Sequence, residues 1–297
     1  MATAFCPAHI TGFFKAELNK EDSKQLGSLG AGFSIQKGVK TTVTIRNKTK
    51  HDISNFTIKV NGFESGDMRV SKAILGKFPT KEKFVNIIHQ IDVPVGYGFG
   101  SSAAVALSLA IALNDALECK LSKIKVAQIA HDVEIECKTG LGDVLASYHG
   151  GFEIRDKPGA PGIGHVQKIT LKKISIIMIC FSPISTSKFI KERLPQINGL
   201  GGKMVNKLLE SKNYEHFQEM SLEFAKYVDV MTPRMQKVVN ELSKNNIKCG
   251  IALFGETIFS MIPKENENKV LEILEKYSDG IIIKSELDDA GARVLHN

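Results

Sequence analysis

Residues 94–117 read PVGYGFGSSAAVALSLAIALNDAL and contain the strongest structural signal in the sequence. Small and apolar residues follow one another without a charge from Ser102 to Leu113. Three glycines alternate just before that run: Gly96, Gly98 and Gly100. The pattern predicts a strand ending near Val93, a glycine loop and a buried helix. Because such a loop can turn several backbone N–H groups into one concavity at the positive end of a helix, the sequence predicts a site for a polyanion.

Two serines, Ser101 and Ser102, stand in the first turn of the predicted helix. A hydroxyl at this point can cap the helix or bind a phosphate-associated Mg²⁺. The segment has neither the G-K-[ST] ending of a Walker loop nor the βαβ context of a dinucleotide fold. From these residues alone, an ordinary glycine turn before a helix stays an alternative.

The length of 297 residues and the hydrophobic content of 43% favour a folded chain of two domains. The best candidate for a boundary is DKPGAPGIG at residues 156–164, which has two prolines and three glycines. We therefore expect one domain over residues 1–160 and a second over residues 161–297. Strand and helix patterns are mixed in the second half, so an α+β fold class is predicted.

Charge and cysteine usage exclude several classes of protein. The net charge of +7 invites a nucleic-acid hypothesis, but the lysines are mixed with acids, and the charge equally suits anionic substrates. The five cysteines form no C-x-x-C pair, which argues against a disulfide framework or a zinc site. No apolar run is long enough for a membrane span and no basic region precedes the first apolar residues, so we expect a cytoplasmic protein.

Chemistry-bearing residues follow the glycine loop along the chain. Residues 33–45 and 56–60 predict antiparallel strands, and a second helix is predicted to start after Ser122. On that helix His131, Glu134 and Lys138 share one face by their spacing. Asp143 follows in the glycine-flanked turn GLGDV. Two carboxylates near a phosphate loop suit phosphoryl transfer, which needs metal binding and alignment of a hydroxyl.

The segment P-x-x-x-G-F-G-S-S-A-A resembles the second motif of the GHMP kinase superfamily, P-x-x-x-G-L-G-S-S-A-A, with Phe99 in place of leucine. Four further blocks resemble one archaeal branch of that superfamily: FCPAHITGFF (5–14), GSLGAGFSIQKGV (27–39), TGLGDVLASYHGGFEIR (139–155) and GARVL (291–295). The resemblance covers nearly the whole chain. It implies an α+β fold of two domains, the first like domain 2 of ribosomal protein S5 and the second a ferredoxin-like α/β domain. It also implies ATP-dependent phosphorylation of a small hydroxy acid.

The resemblance further implies roles for individual residues. Ser102 and Glu134 would hold Mg²⁺, and Asp143 would be the base or orienting group for the attacking hydroxyl. The phosphates of ATP would lie on the loop formed by Gly96, Gly98, Gly100, Ser101 and Ser102. A hydroxy acid carries a carboxylate, for which Arg155 is the first candidate partner, with His131 and Ser28 as further donors. His9 is a weaker candidate for the substrate pocket.

One motif departs from the superfamily pattern. The usual glycine-rich third motif is replaced by CGIALFGETIFSMI at residues 249–262, where Gly250 and Gly255 could close over the phosphates or form a plain hairpin. Two alternatives in function also stay open: a GHMP kinase for homoserine, shikimate or mevalonate, and a nucleotide-binding regulator without catalysis. The expected partners are ATP and a small-molecule substrate, without nucleic acid or membrane, and a homodimer is compatible with the sequence.

Overall fold

The computed structural model describes residues 1–63, 68–184 and 186–296. The described part folds into two mixed α+β units, each built on one sheet. The strands are β1 (Ala2–Glu17), β2 (Gly27–Asn47), β3 (Phe56–Gly62), β4 (Lys83–Ile91), β5 (Phe152–Lys157), β6 (His165–Ile169), β7 (Ile174–Pro183), β8 (Gly250–Ala252), β9 (Gly255–Pro263), β10 (Ile281–Ser285) and β11 (Arg293–Leu295). The helices are α1 (Arg69–Gly76), α2 (Ser101–Ala116), α3 (Lys123–Cys137), α4 (Asp143–His149), α5 (Thr186–Ser211), α6 (Tyr214–Tyr227), α7 (Pro233–Lys244) and α8 (Glu267–Leu274).

The first sheet has seven strands and is organised around β1 and β2. Its main path is β11-β1-β2-β4-β3, and β5 joins β2 to β6. The expectation that β3 belongs to an antiparallel arrangement is wrong, because β3 pairs parallel with β4. A parallel pair needs a crossover, and α1 lies between the two strands in the chain. The long strand β1 was not predicted, since it is buried along almost its whole length and shows no alternation.

The second sheet has four strands in the order β10-β7-β9-β8. The patterns at residues 187–194 and 204–211 predict two helices, but the structure has the single helix α5, which continues through Pro195. This helix packs on β1, and Gly201 has no side chain where a Cβ would overlap the backbone of Phe14. The glycine that suggests a break therefore allows a close approach of helix and strand.

Helix α2 lies in the centre of the first unit, against β1, β2, α1 and α3. Its residues from Ala103 to Leu113 are buried, apart from Val105, which explains a helix that is apolar on all sides. The predicted boundary between residues 160 and 161 stays a prediction, and β6 beyond it pairs with β5 of the first sheet. Within the described ranges, no helix combines the length and the apolar character needed to cross a membrane.

Candidate active site

The glycine loop adopts a conformation that only glycine takes without strain. Gly96 and Gly98 both have φ of 86°, and Gly100, at the N-cap of α2, has φ of 55°. The first N–H groups of α2 have no partner within the helix, and the helix dipole adds positive charge at this end. A small cleft opens here, and the residues lining it are Thr11, Gly96, Gly98, Phe99, Gly100, Ser101, Ser102, Thr139, Asp143 and Phe254. The cleft suits the phosphates of a nucleotide.

Ser102 and Glu134 are brought together at the start of α2. The Ser102 hydroxyl donates to Glu134 Oε2 over 3.0 Å, and Thr139 Oγ1 donates to Glu134 Oε1 over 2.6 Å. Burial of this carboxylate, which is 2% exposed, raises its pKa to about 7, against the two hydrogen bonds. Among the described residues, no cation pairs with this carboxylate. Together with the neighbouring hydroxyl it is a set of hard oxygen donors, and it fits Mg²⁺.

Asp143 begins α4 on the other side of the same cleft. Gly140 lies between the two carboxylates: a Cβ at this glycine would be 2.5 Å from Glu134 Oε2 and 3.5 Å from Asp143 Oδ2. The absence of a side chain at position 140 therefore keeps the space between the carboxylates open. Three residues predicted to act together, Ser102, Glu134 and Asp143, surround the end of the phosphate loop.

His9 of β1 holds Asp143 from behind. His9 Nδ1 lies 2.9 Å from Asp143 Oδ1, and the hydroxyl of Thr11 donates to the same oxygen over 3.4 Å. Burial by itself would raise the pKa of Asp143, but the hydrogen bond from His9 and the positive charge around it hold that pKa below its ordinary value. Asp143 therefore stays ionised at neutral pH.

Arg155 lies on β5 and is 1% exposed. Its Nη1 atom forms an ion pair with Glu153, which is two residues away on the same face of the strand and fully buried. Its Nε atom is buried and has no hydrogen-bond partner in the structure. An arginine with one side neutralised and another side unpaired is suited to receive an anionic group.

A second small pocket lies next to the phosphate cleft and contains Ser28 and Asp143. The remaining residues that line it are Thr11, Phe14, Gly140, Leu141, Gly142, Ile190 and Phe254. Gly142 defines its floor, because a Cβ there would overlap Ser28 Oγ and lie 2.9 Å from Arg155 Nε. Ser28 lines this pocket together with Asp143, and Arg155 Nε lies beside the same point of Gly142 without lining the pocket itself. We call this space the acceptor pocket.

His131, the third predicted substrate residue, lies elsewhere. It is buried on α3, and its Nε2 atom is 3.1 Å from the carbonyl oxygen of Ser23. Burial lowers its pKa, so the ring is neutral and can donate to this carbonyl. His131 lines neither the phosphate cleft nor the acceptor pocket. The predicted shared face with Glu134 does not bring His131 to the site, because positions three apart differ by about 60° around a helix and the His131 ring contacts the Ser23 carbonyl instead.

The second unit contributes Phe254 to both pockets. Gly250 packs against the ring of Phe259, and Gly255 packs against the backbone of Tyr97 in the phosphate loop. Thr257 Oγ1 also donates to the carbonyl of Tyr97 over 2.8 Å. The β8–β9 hairpin therefore packs against the phosphate loop at Tyr97. Phe254 is the hairpin residue that lines the cleft.

Four residues at the site were not predicted: Thr11, Thr139, Glu153 and Phe254. Three of them stand in the blocks that define the resemblance: Thr11 in FCPAHITGFF, Thr139 in TGLGD and Glu153 in FEIR. Strand periodicity places Glu153 on the same face as Arg155, and this signal could have identified it. The same periodicity places Thr11 on the face of His9, whereas Phe254 becomes visible only in three dimensions.

The chain is similar to known proteins over most of its length. The family model for the GHMP kinases N terminal domain matches residues 68–151. The pantoate kinase of Methanocaldococcus jannaschii is 34% identical over 277 residues, covering 91% of this chain and 96% of that protein. The pantoate kinase of Thermococcus kodakarensis is 29% identical over 275 residues, which are 91% of each chain.

Solved structures agree with the sequence relatives. A phosphotransferase related to the CoA biosynthesis pathway is 28% identical and superposes with a TM-score of 0.86, covering 98% of this chain and 97% of the other. A homoserine kinase from Cytophaga hutchinsonii shares the fold, with a TM-score of 0.67 and 19% identity over 99% of this chain and 97% of that one. The two-unit fold and the glycine loop are those of a GHMP kinase. Within that class, the chain belongs to the pantoate kinase family.

Proposed function

We propose that this protein transfers the γ-phosphate of ATP to the 4-hydroxyl of (R)-pantoate and gives (R)-4-phosphopantoate, a step toward coenzyme A. One observation carries the proposal: Ser28 and Asp143 share a pocket next to the phosphate loop, and the unpaired Nε of Arg155 lies beside Gly142 of that pocket. An acceptor with a carboxylate at one end and a hydroxyl at the other suits this arrangement. The similarity of this chain to two pantoate kinases and to a phosphotransferase related to the CoA biosynthesis pathway supports pantoate as the substrate.

The nucleotide half of the reaction uses the loop and the start of α2. Backbone N–H groups of the loop and the helix dipole would neutralise the β- and γ-phosphates. Ser102 and Glu134 would hold Mg²⁺, which supplies a counter-charge for the phosphates when bound. Thr139 orients Glu134 by donating to its other oxygen.

Asp143 would align the acceptor hydroxyl rather than act as a strong base. Its pKa is held low by His9, which makes it a weak proton acceptor. Phosphoryl transfer passes through a loose transition state, so orientation of the hydroxyl contributes more than removal of its proton before attack. The proton is lost to Asp143 or to solvent as the new P–O bond forms.

The acceptor pocket opens toward a larger cavity of about 870 Å³ between the end of α3 and α5. The two share Gly140, Leu141 and Ile190. Three lysines also line the cavity: Lys138, Lys188 and Lys191. This cavity offers a route by which an anionic acceptor approaches Asp143, because a positive surface concentrates anions.

A substrate panel tests the proposal. Purified protein with MgATP is mixed with pantoate, pantothenate, homoserine, mevalonate or shikimate, and ADP release is measured. Stimulation by pantoate is expected. Pantothenate should be inactive, because the carboxyl group next to its hydroxyls has become an amide. If only another alcohol stimulates ADP release, the protein is a kinase but pantoate is not its acceptor. ATP binding without turnover on any acceptor would favour the regulator.

A cytoplasmic location and a homodimer stay predictions. Light scattering of the purified protein coupled to size exclusion determines the number of subunits, and cell fractionation determines the location. We expect no binding to a random DNA duplex, and a steep salt dependence of such binding would contradict this.

A further inference from the structure

His9 lies between two carboxylates in the interior of the first unit. Its Nδ1 atom is 2.9 Å from Asp143 Oδ1, and its Nε2 atom is 3.0 Å from Glu153 Oε1. His9 and Glu153 are both fully buried, while the side chain of Asp143 is 17% exposed at the cleft. The histidine therefore connects a catalytic carboxylate with one that touches neither substrate pocket.

The chemistry of the partners determines the state of the ring. Ionised carboxylates only accept hydrogen bonds, so both contacts form when both ring nitrogens carry hydrogen. The charged groups facing His9 are Asp143 on α4 and Glu153 and Arg155 on β5. A protonated His9 makes this buried group of four neutral in sum, with two positive and two negative charges, as buried ions require.

We propose that His9 and Glu153 are positioning residues for phosphoryl transfer: Glu153 anchors Nε2–H of His9, and Nδ1–H of His9 fixes Oδ1 of Asp143, leaving Oδ2 for the acceptor hydroxyl. This inference rests on the proposed function. In the described part of the chain, the hydrogen bonds to the Asp143 side chain end at Oδ1. The free oxygen is the one that lies on the side of Gly140 and Glu134.

The neighbouring strand is built to make room for this group. Gly32 of β2 pairs with Glu153 of β5, and Gly30 pairs with Arg155. A Cβ at Gly32 would overlap the ring of His9 at Nε2, and a Cβ at Gly30 would lie 2.7 Å from Arg155 Nη2. The backbone N–H of His9 also donates to the carbonyl of Phe99 in the phosphate loop over 3.1 Å. The group is thereby tied to the phosphate loop, and it includes Arg155, whose Nε atom lies beside Gly142 of the acceptor pocket.

Two conservative variants of His9 separate its two contacts. In His9→Asn the amide nitrogen can stand near the place of Nδ1, which keeps a donor for Asp143 and loses Glu153. In His9→Gln the amide reaches toward the place of Nε2, which keeps Glu153 and loses Asp143. His89→Gln is the matched control. His89 is also buried, but its ring nitrogens form hydrogen bonds with Thr41 of β2 and Ser71 of α1.

We expect kcat to fall about 100-fold in His9→Gln and about tenfold or less in His9→Asn, with the Kd of MgATP unchanged. Loss of the hydrogen bond from His9 should also raise the pKa of Asp143. The acidic limb of the pH profile of kcat, measured at saturating Mg²⁺, should therefore move to higher pH in His9→Gln. His89→Gln should lower Tm and leave the limb in place. A normal kcat and an unmoved limb in His9→Gln would overturn the proposal.

A spectroscopic measurement decides the matter without activity. With ¹⁵N-labelled histidine, the His9 resonances are assigned by their absence in His9→Asn. Both ring nitrogens of the wild type should stay protonated to a higher pH than those of an ordinary histidine, and Glu153→Gln should lower the pH at which the ring loses its second proton. A neutral His9 in the wild type would overturn the proposal. If the wild type does not phosphorylate pantoate, the substrate proposal fails, whereas this spectrum still decides the role of His9.

Discussion

The Oγ atom of Ser102 donates to Oε2 of Glu134 over 3.0 Å and so joins the first turn of α2 to the last turns of α3. Under the proposed function, both oxygens would contact the Mg²⁺ that accompanies the phosphates. Glu134 is ionised there only at a cost, because it is almost completely buried. The ionised Glu134 therefore lowers the free energy of unfolding of the protein when no cation is bound.

Replacement of Glu134 by glutamine should stabilise the free protein and abolish activity. Since the folded pKa of about 7 exceeds the ordinary 4.5, the folded state retains a proton that the unfolded chain has lost between these pH values, and stability falls as pH rises through them. We expect the free energy of unfolding of Glu134→Gln to exceed that of the wild type by up to about 3 kcal/mol at pH 8, and by little below pH 4.5. Urea unfolding at the two pH values measures this. Glu136→Gln, an exposed change on the same helix, should show no such difference.

The sequence was sufficient for the fold class and for the strand, glycine loop and helix at residues 83–116, because a contiguous motif defines that segment. The nucleotide-binding role of the loop stays a prediction. The glycines of residues 94–104 need their backbone conformation in any context, and the structure confirms the strand, loop and helix that they predict. The family and its α+β fold are also confirmed. Glu134 and Asp143 lie on either side of Gly140, as their short separation in the sequence suggests, and their roles stay predictions.

The acceptor side depended on contacts that no local pattern contains. His9 and Glu153 are separated by 144 positions and meet because β1 and β5 both flank β2. His131 was expected on this side from its place on α3, yet the 3-10 turn Ser23–Gln25 receives its side chain. The orientation of a buried side chain depends on the elements that pack against it, and these were unknown from the sequence.

Asp143→Asn should remove turnover and preserve nucleotide binding. The amide cannot accept a proton and would offer an N–H to the hydroxyl or to His9, so the acceptor loses its alignment. We expect kcat to fall by about 10²- to 10⁴-fold with an unchanged Kd for MgATP. Steady-state kinetics and isothermal titration measure the two quantities. Asp115→Asn, an exposed change near the other end of α2, should match the wild type; retained turnover in Asp143→Asn would remove Asp143 from its role.

Arg155→Lys should act on substrate affinity. Lysine can keep the charge beside Glu153 but has no Nε–H in the guanidinium plane, so the acid loses a directed contact. We expect KM for pantoate to rise about 10- to 100-fold with a smaller change in kcat. Arg155→Ala is a poorer test, since it leaves Glu153 buried without a partner and should cost about 3–5 kcal/mol of stability. Arg46→Lys changes an exposed ion pair with Asp52 and is the control; an equal KM in Arg155→Lys would exclude arginine from acid recognition.

Gly142→Ala should narrow the acceptor pocket without unfolding the protein. Gly142 has φ of −123°, which alanine adopts freely, and the atoms that a Cβ would meet are the side-chain atoms of Ser28 and Arg155. These side chains can move, so we expect KM for pantoate to rise about tenfold or more while Tm changes by a few degrees. Gly76→Ala is the control: nothing lies within 4 Å of the new methyl group, and a gain of about 0.5–1 kcal/mol is expected at this helical position. An unchanged KM in Gly142→Ala would mean that the acceptor carboxylate binds elsewhere than between Ser28 and Arg155.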